Sequence, residues 1–153
     1  MTATVTGVST EGIERLADII MAMQRCFVLH LTEELAHGEV SFPQFFLLGH
    51  VAADRALSMT QIAERMNHTT AAATGLVDRL ENLGYITRRH DLSDRRKVLV
   101  QATAKGAALV ERIRSGMVKK LTEVMQILTP EEQSSWLQIY EKLYKHVSCS
   151  DKD

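Results

Sequence analysis

Five cations, Arg88, Arg89, Arg95, Arg96 and Lys97, fall within ten residues of this 153-residue chain. Guanidinium forks match phosphate oxygens and keep their charge, so a cluster this dense suits a polyanion. Asp94 stands two residues before Arg96, close enough to hold that guanidinium through a charge-assisted bond. Upstream lies Thr69-Thr70-Ala71-Ala72-Ala73-Thr74. Small side chains at a helix start let the backbone approach a partner closely. Threonines reach bases or phosphates, alanines meet a thymine methyl, and the helix N-terminus itself favours a phosphate. Either segment alone also fits a solvated turn or a well-capped helix, but the pair points to nucleic acid.

The charge distribution agrees, although the net charge is only −1. Residues 1–64 hold three basic residues against eight acidic ones, whereas residues 84–120 hold ten basic against three acidic. Local density, not the total, is what a polyanion meets.

Other chemistry is thinly represented. Cys26 and Cys149 form no CxxC pair, and the expectation is a buried thiol at Cys26 and a free one at Cys149. His30, His37 and His50, with Glu33 and Glu34, are the only metal-ligand candidates, and no metal site is expected from them. Without a phosphate-binding glycine loop or a nucleophile elbow, neither catalysis nor a cofactor is expected. No apolar run approaches the length of a membrane span, and Met1 to Thr10 lacks the pattern of a signal peptide. The expected location is the cytoplasm.

These residues need elements to position them. Ile13, Leu16, Ile20, Met23 and Phe27 recur at three- and four-residue spacing, which predicts a long helix over 11–36, capped by Thr10 and ended by His37-Gly38. Pro43 opens a second helix. Leu57 to Met59 reads as a short strand, followed by a helix capped by Thr60 or Ser58. A polar turn at 67–70 leads into a helix from about Thr70 to Asn82, which Gly84 ends. Residues 86–90 and 97–101 read as strands of a hairpin with a charged tip. Thr103 caps another long helix, striped from Leu109 to Leu128. Thr129-Pro130-Glu131-Glu132 opens the last, which carries Trp136, Ile139, Tyr140, Leu143 and Val147 on one face.

The order is mainly α with a small β-hairpin. Two short helices, a tight turn and a charged hairpin make a winged helix-turn-helix over 41–102, flanked by long helices at 10–38 and 103–148. Residues 59–106, with LVDRLENLGYI at 76–86, the DxR of Asp94 and Arg96, and TAKG at 103–106, resemble the winged-helix core of the MarR family of transcriptional regulators. SFPQF at 41–45 resembles the start of that family's second helix. Gly75, where many relatives carry a larger residue, and Ala102, where leucine is usual, depart from the pattern.

The resemblance implies a homodimeric repressor of a pseudo-palindromic operator in double-stranded DNA, with half-site centres about ten base pairs apart. It assigns Thr69, Thr70, Ala72, Thr74 and Arg79 to the recognition helix. Asp94 and Arg96 take wing roles, with Arg88, Arg89 and Arg95 beside them. The flanking helices would form the dimer through Ile13, Leu16, Ile20, Trp136, Ile139 and Leu143. A small aromatic or anionic effector is expected near Met23, Phe27, His30, Phe46, His50 and Met117. Thiol oxidation at Cys26 is an alternative trigger, and a winged helix that binds protein instead of DNA is the rival from another class.

Overall fold

The computed structural model describes residues 7–37 and 39–150, without the side chains of His30 and residues 147–150. The roles expected of Gly38 as a helix end and of the His30, Val147 and Cys149 side chains lie outside the described residues. Nine elements follow one another: α1 (Thr10–His37), α2 (Phe42–Ala53), β1 (Leu57–Ser58), α3 (Met59–Arg65), α4 (Thr70–Asn82), β2 (Ile86–His90), β3 (Val98–Ala102), α5 (Ala104–Met125) and α6 (Pro130–Ser150). None of the helices is long and apolar enough to cross a membrane, among the described residues. Two compact units result, 1–113 and 114–153.

The first unit is built around α2, α3, α4 and a three-stranded antiparallel sheet of order β1-β3-β2. Leu47, Leu48 and Val51 from α2, Ile62 from α3, Val77 and Leu80 from α4, and Leu57, Ile86 and Val100 from the strands are fully buried together. Only the last turns of α1 join this core, through Leu35 and partly Leu31. Its earlier turns leave Ile13, Leu16, Ile20 and Met23 exposed. Cys26, expected to be buried, is instead exposed, because it lies on the stretch of α1 that the core does not reach.

Helix starts follow their side chains. The cap differs from expectation at α1, and at α3 one of the two expected residues, Ser58, is the cap. Ser9, not Thr10, accepts the Gly12 N–H at 3.1 Å. Ser58, one residue before α3, forms a capping box with Gln61, which leaves Thr60 inside the helix.

In the second unit, Thr129 and Glu132 form the expected capping box of α6, with bonds of 2.9 and 3.3 Å. The preceding helix stops at Met125, short of the predicted Leu128. Gln133 Nε2 donates to the carbonyls of Met125 and Leu128, satisfying the helix end from the next element. Trp136 is half-buried and its ring lies 5.9 Å from that of Tyr140. Ile139 and Leu143 are exposed.

Candidate nucleic-acid interface

The helix-turn-helix is α3, a four-residue turn at 66–69, and α4. Asn67 makes the turn possible by adopting φ 50°, a left-handed conformation that asparagine tolerates. His68 N–H then bonds back to Ala63 O at 2.9 Å. Thr69 caps α4 by accepting the Ala72 N–H at 3.2 Å. Ala73, Val77 and Leu80 face the core. Thr70, at the exposed first turn, and Ala71, Ala72, Gly75, Asp78 and Arg79, away from that buried stripe, are all exposed. Thr74 differs from the other candidates. It is half-buried and its hydroxyl donates to Thr70 O at 2.7 Å, inside the helix.

The wing is the β2–β3 hairpin, paired from Ile86↔Ala102 to His90↔Val98. The second strand starts at Val98, one residue later than predicted, because Lys97 N–H closes the tip onto Asp94 O. Asp91 organises that tip. Its Oδ1 accepts from the Ser93 and Asp94 N–H groups at 2.7 and 3.1 Å and from the Ser93 hydroxyl. Those bonds, the Ser93 hydroxyl foremost, hold its carboxyl below the usual aspartate value. The expected grip of Asp94 on the Arg96 guanidinium is corrected. Asp94 instead accepts the main-chain N–H of Arg96 at 3.1 Å, because a carboxylate two residues upstream in a turn reaches the backbone first.

Arg88 also departs from expectation. Alternation along β2 turns it, with Ile86, toward α4, while Thr87 and Arg89 face away. Its guanidinium pairs with Asp78 at 2.5 Å and with Glu81. Glu81 Oε1 also accepts the Arg88 N–H at 3.1 Å, satisfying a donor on an edge strand. Burial pulls the guanidinium pKa down, but the bonds to Asp78 and Glu81 and their charges outweigh it and hold the group above its ordinary value. Arg88 is therefore a brace between helix and wing. By contrast, Arg79, Arg89, Arg95 and Arg96 are exposed, and no ion pair holds their guanidiniums among the described residues.

The TAKG motif explains how α5 is set against this unit. Gly84, at φ 75°, turns the chain out of α4. Thr103 donates its hydroxyl to Gly84 O at 2.7 Å and accepts the Gly106 N–H at 3.1 Å. Lys105 Nζ donates to Leu83 O at 2.6 Å and lies 4.4 Å from the centre of the Tyr85 ring. A Cβ on Gly106 would sit 2.1 Å from Tyr85 O, so only glycine lets the helix come this close.

The candidate effector residues are spread over three helices. Met23 and Phe46 are exposed, and Phe27 and His50 are half-buried. The Phe46 ring lies 4.8 Å from that of Phe42, tilted by 55°, and Met117 is exposed on the part of α5 that belongs to the second unit. Among the described residues no three His, Cys, Asp or Glu side chains gather as a metal site.

This architecture defines a winged helix-turn-helix protein. Residues 40–98, which span the helix-turn-helix and the start of the second wing strand, match the MarR family. The HTH-type transcriptional repressor YetL of Bacillus subtilis is 35% identical over 97 residues, covering 63% of this chain and 58% of its own length. This chain thus spans less than two thirds of that relative. The repressor MdtR of the same organism is 28% identical over 140 residues, 90% of each chain. In fold, a MarR family protein from Bacillus stearothermophilus superposes with a TM-score of 0.82 at 20% identity, over 93% of this chain and 99% of that one.

Proposed function

We propose that the chain is a cytoplasmic transcriptional repressor that binds double-stranded DNA as a homodimer. In this proposal α4 enters the major groove with Thr69, Thr70, Ala72 and Arg79, and the wing brings Arg89, Arg95 and Arg96 to the adjacent minor groove and its phosphates. Thr74 lines the entry of α4, and Arg88 braces the wing. The observation that carries the proposal is the set of guanidiniums, unpaired among the described residues, on a wing fastened by Arg88 to a helix whose exposed first turns carry small residues. The names of the repressors YetL and MdtR lend it support.

Dimerisation rests on the apolar faces left in water. Ile13, Leu16 and Ile20 on α1 and Ile139 and Leu143 on α6 are each 43–55% exposed. A second copy covering them would gain about 1 kcal/mol per side chain, roughly half the value for burying a fully exposed one. Leu16→Asp is expected to yield monomers that no longer bind DNA, measured by light scattering and titration.

Selection from a random duplex library tests the proposal. A two-fold symmetric motif is the expected result, and no enriched motif would favour the protein-binding rival. Release by a small aromatic or anionic effector belongs to the same proposal, supported by the exposed Phe42–Phe46 pair on α2. A second trigger, oxidation of Cys26, is favoured by the exposure of that thiol. Thiol-specific oxidants that left operator affinity unchanged would remove it.

A further inference from the structure

The wing tip carries a side chain that neither its cations nor its hydrogen bonds explain. Leu92 is 97% exposed, the most exposed of the large apolar residues among those described. It does not sit on a slack loop. Asp91 N–H donates to Lys97 O at 2.9 Å, Asp91 Oδ1 gathers the Ser93 and Asp94 N–H groups, and Asp94 Oδ1 takes that of Arg96. His90 Nδ1 meets Arg95 O at 2.9 Å across the base of the tip. A closed set of bonds, most of them between side chains and the main chain, therefore holds the leucine outward, between the exposed guanidiniums of Arg89 and of Arg95 and Arg96 in sequence. Leucine in water gains nothing for the fold. Substituting it by a polar residue would leave every one of these bonds intact, because all of them use neighbouring atoms.

The combination of an apolar tip and flanking cations matches a DNA minor groove, whose walls are sugar faces and whose rims are phosphates. We propose that Leu92 is a DNA-contacting residue of the wing, packing its isobutyl group against the sugars of the minor groove while Arg95 and Arg96 meet the phosphates. The contact presupposes the DNA binding proposed for the chain. It adds a component of affinity that does not depend on salt, since no counterion is released when an apolar group is buried.

The test is a titration of the full chain with its selected duplex at two salt concentrations, for the unsubstituted chain, Leu92→Ser, Leu92→Met and Arg96→Ala. Leu92→Ser is expected to weaken binding about tenfold at both salts, with the salt slope and the melting temperature unchanged. Leu92→Met is expected to restore most of the loss, and Arg96→Ala to weaken binding with a shallower slope. Unsubstituted affinity in Leu92→Ser, beside a weakened Arg96→Ala, would overturn the leucine contact and leave DNA binding standing. A shallower slope in Leu92→Ser would also overturn it, because the change would then have displaced the cations. Failure of the unsubstituted chain to bind any duplex would overturn DNA binding itself, and the leucine contact with it.

Discussion

Arg88 on β2 reaches back across the turn at Gly84 to Asp78 on α4, with 2.5 Å between nitrogen and oxygen, and the same guanidinium pairs with Glu81 one turn further along the helix. The wing and α4 are thereby fastened at a second point beyond their covalent link. Both carboxylates are at least one-third exposed, so the pairs stabilise the fold only modestly, on the order of 1 kcal/mol together. Their larger consequence is the angle at which the wing leaves the helix.

Arg88→Ala is therefore expected to lower the unfolding free energy by about 1 kcal/mol and operator affinity by more than that. With Arg88 engaged by Asp78 and Glu81 rather than by a phosphate, the salt slope of the variant should stay that of the unsubstituted chain. Arg96→Ala should instead reduce the slope by about one unit for each phosphate left without its cation. Titration at several salt concentrations separates the two. An Arg88→Ala slope as shallow as that of Arg96→Ala would make Arg88 a phosphate ligand.

Gly106→Ala tests the junction of α5 with the wing domain. The added methyl would meet Tyr85 O, which cannot swing away because it accepts the Thr103 N–H at 3.0 Å. Overpacking against main chain should destabilise by about 1–3 kcal/mol or more. Urea unfolding with an unchanged midpoint would refute the close approach.

Gly75 predicts the opposite sign. It lies in the middle of α4, and a Cβ there would meet nothing within 4 Å. Gly75→Ala should raise stability by about 0.8–1 kcal/mol through helix propensity alone. Unfolding midpoints measure the gain, and a loss of stability would show that a methyl at this position is not accommodated.

The wing tip should respond to acid. The Asp91 carboxyl is held below its ordinary value of 3.8, so its bonds favour the ordered tip fully at pH above that value. The contribution is lost as pH falls through the depressed value. The amide signals of Ser93 and Asp94 should shift only below the ordinary aspartate range. Movement of both between pH 7 and 5 would contradict the assignment.

Much of this is legible in the residues themselves. Thr129 and Glu132 announce a capping box, Gly84 a helix end, and the spacing of Val77 and Leu80 the buried face of α4. The MarR resemblance of residues 59–106 agrees with the family match over 40–98. What local pattern does not reveal is which groups are already engaged. In a run of arginines each looks free, yet strand alternation and the pair Asp78 and Glu81 take Arg88 out of the free set. Those two carboxylates, three apart on a helix that ends just before the strand, are the available signal. Likewise Gln133, from another helix, decides where α5 stops, and the reach of the core along α1 decides that Cys26 is exposed. Both depend on packing between elements, which periodicity does not encode.

In the proposed function the chain reads duplex DNA through α4 and the cationic wing. Its most direct test is the affinity of the full chain for a selected symmetric duplex as salt is raised. A steep loss of affinity with salt, made shallower by Arg96→Ala in a chain that remains dimeric, is the predicted result. Affinity indifferent to salt, or no preference for any duplex over a scrambled one, would contradict it.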